Sequence, residues 1–317
     1  MTATVFIDGE QGTTGLQIHA RLSARRDVSL LSLPPADRRN VDARRELLNR
    51  ADIVILCLPD DAAIEAVSMI ENPDVRVIDA STAHRVAEGW VFGMPEYDAA
   101  QRGRIAAAMR VSNPGCYAVA SISLLHPLVG AGLLPVDWPV TINAVSGYSG
   151  GGKSMIAEFE DATSPKHTDA PFFVYGLSLK HKHVPEIQRH GGLAKRPLFV
   201  PSVGRFAQGM IVQIPLQLWA LPGTPTPADI HRALADHYAG CRFVTVAAPD
   251  AARGIDRLEP EAVNDTNELR LHVFGNEAEG QVVLAALLDN LGKGASGSTV
   301  QNMNIMLGMD EGAGLDR

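Results

Sequence analysis

The opening 80 residues alternate short apolar runs with longer amphipathic ones, and few folds tolerate that alternation. Thr4-Val5-Phe6-Ile7 has the character of a buried strand. A glycine-rich loop follows, and then Leu16, Ile18, His19 and Leu22 recur at helical spacing. Residues 28–33 make a second strand, and 42–50 a helix that offers Leu47 and Leu48 to a core. The stretch 52–59 (DIVILCLP) is apolar almost throughout, as a strand covered on both faces of a parallel sheet must be. A helix over 61–70 and a strand over 75–79 continue the pattern. Such strand–helix alternation predicts an α/β fold with a doubly wound parallel sheet.

Past Asn113 the texture changes. One helix starts at Gly115-Cys116 and runs to about Leu128, and strand-like segments follow at 140–145, 172–177, 198–203 and 210–218. Residues 227–238 read as a helix with Thr226 as N-cap and Ile230, Leu234 and His237 on one face. Segments 243–247, 269–274 and 281–291 complete the region. Strands without regular intervening helices predict an α+β domain with a mixed or antiparallel sheet. A glycine-rich turn from Gly292 opens a last helix, expected to be amphipathic through Val300, Met303, Ile305 and Met306. At 317 residues, two domains fit the usual size of about 150 residues each. The expected division is 1–114 and 115–291, with the tail 292–317 after them.

Composition narrows the partners. A formal charge of −8 argues against nucleic acid or an anionic membrane, which bind through clustered Lys and Arg. No apolar run reaches the roughly 18 residues of a membrane span. The start, MTATVFIDGEQG, turns acidic and glycine-rich too soon for a secretory signal. Cys57, Cys116 and Cys241 are too scattered for a disulfide framework or a cysteine-based zinc site. The expectation is a cytoplasmic protein with no metal.

Gly9, Gly12 and Gly15 form G-x-x-G-x-x-G between strand and helix, with Thr13 and Thr14 inside it. That context lets a pyrophosphate approach the backbone and rest on the helix N-terminus, which makes the sheet Rossmann-type and the cofactor a dinucleotide. The second strand ends in Leu33-Pro34-Pro35-Ala36-Asp37-Arg38-Arg39. No acid stands directly at the strand end to hold a ribose 2′-hydroxyl, and Arg38 and Arg39 suit a 2′-phosphate, so NADP(H) is expected.

In Ser112-Asn113-Pro114-Gly115-Cys116-Tyr117-Ala118 a Pro-Gly turn leads into an apolar helix. A cysteine there meets the positive end of the helix, which favours thiolate over thiol. Asn113 can offer an amide donor close by in sequence. Cys57 and Cys241 read as structural. The thiolate's proton partner is sought in Lys180-His181-Lys182-His183-Val184-Pro185, an electropositive run ahead of a Pro-started helix with His183 near its N-cap. Gly147–Ser154 matches G-x-x-x-x-G-K-S literally, which makes a triphosphatase a formal rival; with no magnesium-binding Asp apparent, Lys153 and the loop amides better suit a substrate anion.

Together GEQGTTG, SNPGCYA, SGYSGGGKS, HKHVPEI and GASGSTVQNMNIM resemble the N-acetyl-γ-glutamyl-phosphate reductases of the shorter type, in order and over essentially the whole chain. The resemblance implies a fold like aspartate-semialdehyde and glyceraldehyde-phosphate dehydrogenases, with the last helix packed back on the cofactor domain and Gln301 and Asn302 lining the nicotinamide site. It implies Cys116 as nucleophile and His183 as acid/base, although the family motif alone does not separate His183 from His181. It further implies NADPH-dependent reduction of an acyl phosphate to an aldehyde in arginine biosynthesis, through a thioester, in a homodimer or homotetramer. An aspartate-semialdehyde or aminoadipyl-phosphate type reductase would run the same chemistry on another acid. Lys153, Lys182 and Arg205 are the candidate cations for the substrate's phosphate and carboxylate.

Overall fold

The computed structural model describes residues 2–37, 40–249 and 254–316. It divides into two compact units, Met1–Gly115 with Ala295–Asp316, and Cys116–Gly294.

The first unit holds β1 (Ala3–Asp8), α1 (Thr13–Ser23), β2 (Val28–Leu31), α2 (Val41–Arg50), β3 (Ile53–Leu56), α3 (Asp60–Ser68), β4 (Arg76–Asp79), β5 (Val91–Phe92), α4 (Gln101–Ala107) and β6 (Arg110–Ser112). Its six strands are all parallel in the order β2-β1-β3-β4-β6-β5. Alternation along each strand sends side chains to two cores. Val5, Ile7, Ile53, Ile55 and Ile78 pack with Ile18 and Leu22 of α1, while Phe6, Val54, Leu56 and Val77 pack with Leu47 and Leu48 of α2 and Ala63 and Ala66 of α3. Each fully buried Val, Leu, Ile or Phe among them contributes about 1.5–3 kcal/mol. The side chain of Asn40 caps α2, accepting from the amides of Asp42 at 3.1 Å and Ala43 at 3.3 Å.

The second unit holds α5 (Cys116–Gly130), β7 (Thr141–Gly147), α6 (Gly152–Glu160), β8 (Phe172–Val174), α7 (Val184–His190), β9 (Leu198–Gly204), β10 (Met210–Gln217), α8 (Pro227–His237), β11 (Val244–Val246), β12 (Leu269–Asn276) and β13 (Gln281–Leu288). Its seven strands form a mixed sheet in the order β11-β12-β13-β10-β7-β9-β8. Helices α5 and α8 pack against one face, formed by β10, β12 and β13. Thr226 caps α8 in a reciprocal capping box with Asp229, and Ile230 and Leu234 are buried, as the sequence pattern predicts.

Three expectations need correction. The strand expected over 172–177 stops at Val174, because Gly176 and Leu179 take left-handed backbone angles (φ 65° and 59°) that turn the chain. The second unit also has a helix, α6, directly after Gly151, where no helix was expected. The last helix, α9 (Gly297–Met306), is not amphipathic: every one of its residues is buried. Its polar residues are buried because each meets a polar partner within the first unit. Gln301 donates to Glu96 at 2.9 Å, Asn302 to the Gly93 carbonyl at 2.7 Å, and Asn304 to the Ala313 carbonyl at 2.9 Å. Val300, Met303, Ile305 and Met306 join the core under α1.

His272 on β12 is 3% exposed, stacks on Phe274, and has no hydrogen-bond partner for either ring nitrogen among the described residues. Burial, and then the charge of Arg270, push its pKa down. A lowered imidazole pKa means that the unfolded chain takes up the proton first as pH falls below about 6.5, so stability is lost from there through the folded-state pKa. We expect His272→Leu to lose less stability than the parent between pH 7.5 and pH 5 in urea titrations; identical losses would show that His272 is not a source of acid lability.

Candidate active site

In the first unit the glycine loop is shaped by steric necessity. Gly9 has φ 90°, and a Cβ there would lie 2.4 Å from the Cys57 carbonyl oxygen; one on Gly15 would lie 2.4 Å from the Gly9 oxygen. A Cβ on Gly12 would meet nothing closer than 3.4 Å. Two glycines therefore close the turn, and the third leaves a smooth outer surface. Gly12 is the N-cap of α1 and supplies no side-chain cap, and the first turn has no acidic residue. The leading amides of α1, at Thr13, Thr14 and Gly15, thus present the partial positive charge that a pyrophosphate needs. Beside the loop lies a cavity of about 270 Å³ lined by Asp8, Gly9, Glu10, Gln11, Leu33 and Arg44, among others. Arg44 pairs with the buried Asp8 at 2.8 Å, which neutralises the one carboxylate at the end of β1. These residues fit a dinucleotide. Arg38 and Arg39 lie outside the described residues.

In the second unit Cys116 is the first residue of α5, and it is partly exposed. Its neighbour Tyr117 is buried, and the Tyr117 ring lies 5.6 Å from the ring of His181 and 5.8 Å from that of His183. His183 is the N-cap of α7 and Pro185 sits in its first turn, as the sequence predicts. The two imidazoles meet edge to face at 4.9 Å. Tyr175 donates to the Tyr117 hydroxyl at 3.2 Å. Burial, reinforced by charge at Cys116, pushes the Tyr175 phenol up to about 12. Burial likewise raises Tyr117 well above the ordinary phenol. Cys57 is pushed up to about 12 by burial and then by Asp79, so it is a protonated thiol, in keeping with its structural reading. Gly294 lies against the nucleophile candidate: a Cβ on it would sit 2.7 Å from Cys116 Cβ.

The remaining sequence candidates fall into different places. Asn113 is buried, and its amide group donates to the Ala295 carbonyl at 3.2 Å while its oxygen accepts from Asn302 at 3.0 Å. Asn113 thus helps to hold α9 in place, together with Gln301 and Asn302. Arg205 donates to the Thr168 carbonyl at 2.7 Å and pairs with Asp169 at 3.2 Å, so it ties down that segment. Lys153, near the start of α6, and Lys182 are exposed. The Walker-like segment runs from β7 to α6, but Tyr148–Gly151 is wound into a 3₁₀ turn rather than an open anion loop. Sequence reasoning passed over Asp79 at the end of β4, which is fully buried and accepts from Ser81 Oγ at 2.7 Å and pairs with His84 Nδ1 at 2.6 Å. The run Asp79-Ala-Ser81-Thr-Ala-His84 at a strand end was the available signal. Among the described residues no helix could cross a membrane, and no cluster of three or more His, Cys, Asp or Glu could hold a metal ion.

A dinucleotide loop in one unit and a cysteine opening a helix with two histidines in the other fit a semialdehyde-dehydrogenase-type protein. The family model described as "Semialdehyde dehydrogenase, NAD binding domain" matches residues 6–104, and "Semialdehyde dehydrogenase, dimerisation domain" matches 116–290. Aspartate semialdehyde dehydrogenase II of Vibrio cholerae shares the fold at a TM-score of 0.70 and 14% identity, with 97% of this chain and 98% of that one covered. The enzyme of Francisella tularensis shares it at 0.70 and 13%, covering 96% and 100%. N-acetyl-γ-glutamyl-phosphate reductase of Brucella anthropi is 57% identical over 309 residues, which cover 97% of this chain and 99% of that protein. That of Chelativorans sp. is 58% identical over 310 residues, again 97% and 99%. The chain belongs to the N-acetyl-γ-glutamyl-phosphate reductase family.

The closeness of Gly294 to Cys116 can be tested directly. Gly294→Ala should displace the Cys116 side chain and change its alkylation rate by iodoacetamide at least severalfold at neutral pH. An unchanged rate would mean that the close approach has no bearing on the thiol.

Proposed function

We propose that the chain reduces N-acetyl-γ-glutamyl phosphate to N-acetylglutamate 5-semialdehyde and phosphate with NADPH, through a thioester on Cys116. The observation that carries this reading is a partly exposed cysteine opening α5 in the same unit as His181 and His183, with the Tyr117 ring against both imidazoles. The aligned amides of a helix start favour the thiolate, and a neighbouring imidazole can take the proton.

The residues then act in order. His183 accepts the Cys116 proton, the sulfur attacks the acyl carbon, and the carbon–oxygen bond to phosphate breaks, leaving the acyl group on sulfur. A thioester carbonyl gains little resonance from sulfur, which makes its carbon a good electrophile. A dinucleotide held by the glycine loop would supply the hydride that reduces this carbon. Backbone N–H groups at the start of α5 are the donors for the oxyanion in this reading. One such donor is typically worth about 3 kcal/mol. His183 carries the proton to and from that oxygen and the departing sulfur, a contribution of roughly 10²–10⁴-fold.

The loop Gly9–Gly15, with Thr13 and Thr14, holds the pyrophosphate in this reading. The choice of NADPH over NADH rests on Arg38 and Arg39. Lys153 and Lys182, both exposed, are the cations for the anionic substrate in this reading, while Arg205 is paired with Asp169. Gln301 and Asn302 act by fixing the backbone next to the nicotinamide.

The family model's description as a dimerisation domain supports a homo-oligomer. The sheet face opposite α5 and α8 carries exposed Phe172, Val174, Leu198 and Val283, which strand register places on one side. A second copy covering that face fits its apolar character. The chemistry needs a free thiol, which suits a reducing cytoplasm.

Cys116→Ala should abolish phosphate-dependent oxidation of N-acetylglutamate semialdehyde, followed by NADPH formation, while NADPH still binds. Retained turnover would rule out the thioester. Turnover on aspartate semialdehyde instead would move the chain to a sister reaction. Gly12→Ala, which the protein can accommodate sterically, should keep the thermal midpoint yet weaken NADPH binding at least tenfold; unchanged affinity would place the cofactor elsewhere.

A further inference from the structure

The two histidines of the HKH run are not equivalent. His181 Nδ1 accepts from the backbone N–H of His183 at 3.1 Å. That nitrogen therefore carries no proton, and the hydrogen of the neutral ring resides on Nε2. Nε2 lies 3.4 Å from the Tyr175 hydroxyl, Tyr175 donates onward to Tyr117 at 3.2 Å, and Tyr117 donates to the Ser202 carbonyl at 3.4 Å. A carbonyl can only accept, so every hydrogen in the line points one way, from His181 towards β9. Both phenols are held protonated by burial, which keeps them donors.

We propose that His181 and Tyr175 are positioning residues for His183: Tyr175 holds His181 in one tautomer, and His181 holds the backbone of His183 at the start of α7. Neither transfers a proton in the reaction. The approach of the chain supports this. Leu179 stands two residues before His181 in a left-handed conformation that non-glycine residues rarely adopt, and its carbonyl accepts from Arg196 at 2.9 Å. Strain of this kind persists where the surroundings dictate the backbone path. The inference rests on the reading of Cys116 and His183 given above.

Substitutions can separate the two nitrogens. Asn places an oxygen where Nδ1 lies and keeps the acceptor for the His183 N–H; Gln places its amide nitrogen near Nε2 and loses that acceptor. In the reverse assay with NADP, His181→Ala should lower kcat about a hundredfold with KM little changed, as expected when two linked hydrogen bonds fail. His181→Asn should recover most of that loss and His181→Gln should not, with urea midpoints of Asn and Gln alike. Tyr175→Phe should lower kcat about tenfold in the parent. In the His181→Asn background it should have no effect, because Tyr175 acts only through His181. If His181→Asn is as inactive as His181→Ala, His181 moves a proton and the proposal falls. If Tyr175→Phe costs the same in both backgrounds, or nothing in either, the line from Tyr175 is overturned. Should His181→Ala fail to fold, the Asn, Gln and Tyr175→Phe comparisons still decide. Failure of the underlying reading would look different, with Cys116→Ala remaining active.

Discussion

An α-helix cannot satisfy its own first N–H groups, and this structure uses that deficit twice. Helices α1 and α5 each begin immediately after a glycine, Gly12 and Gly115, and neither has an acidic side chain in its first turn. A carboxylate there would have cancelled the partial positive charge that the aligned peptide dipoles produce. Leaving it out costs each helix some stability and keeps the charge for something else. At α1 that something is an anion approaching from outside; at α5 it is the side chain of the first helical residue. A chain of net charge −8 that handles anions needs such local positive ends more than a basic protein would.

Glycine enforces both arrangements by close approach. Gly9 and Gly15 pack against backbone oxygens, Gly294 against Cys116. Gly12 differs because its missing Cβ is not needed for packing within the protein. Between a strand and a helix N-terminus, a glycine of that kind leaves room for a ligand to approach the backbone.

How much of this was legible in the sequence depended on range. The parallel sheet, the glycine loop, the cysteine at a helix start and His183 at an N-cap were all visible, because each is set by residues within one turn or one strand of one another. Helix α9 is buried on every side rather than amphipathic, because Gln301 meets Glu96 and Asn302 meets Gly93 and Asn113, partners about two hundred positions away. The contacts of Asn113 with Ala295 and Asn302 are invisible in the sequence for the same reason. Helix α6 escaped notice because Gly150-Gly151-Gly152 is a poor helix start by propensity. Arg205 was legible as a cation but not as the partner of Asp169.

The cluster around Cys116 shows how a protein can put many titratable groups together without letting them all titrate. Two phenols, two imidazoles and a thiol share one region of the second unit. Were all free to exchange protons, the proton leaving sulfur would have several destinations and the reaction several protonation states. Burial removes the phenols from that competition by raising them beyond the working range. The His183 backbone N–H directed at Nδ1 fixes the His181 tautomer, and on the proposed reading that keeps His181 out of the exchange. On the proposed reading, this leaves one imidazole at the start of α7 and one sulfur at the start of α5, with the proton route between them set by neighbours that stay out of the exchange.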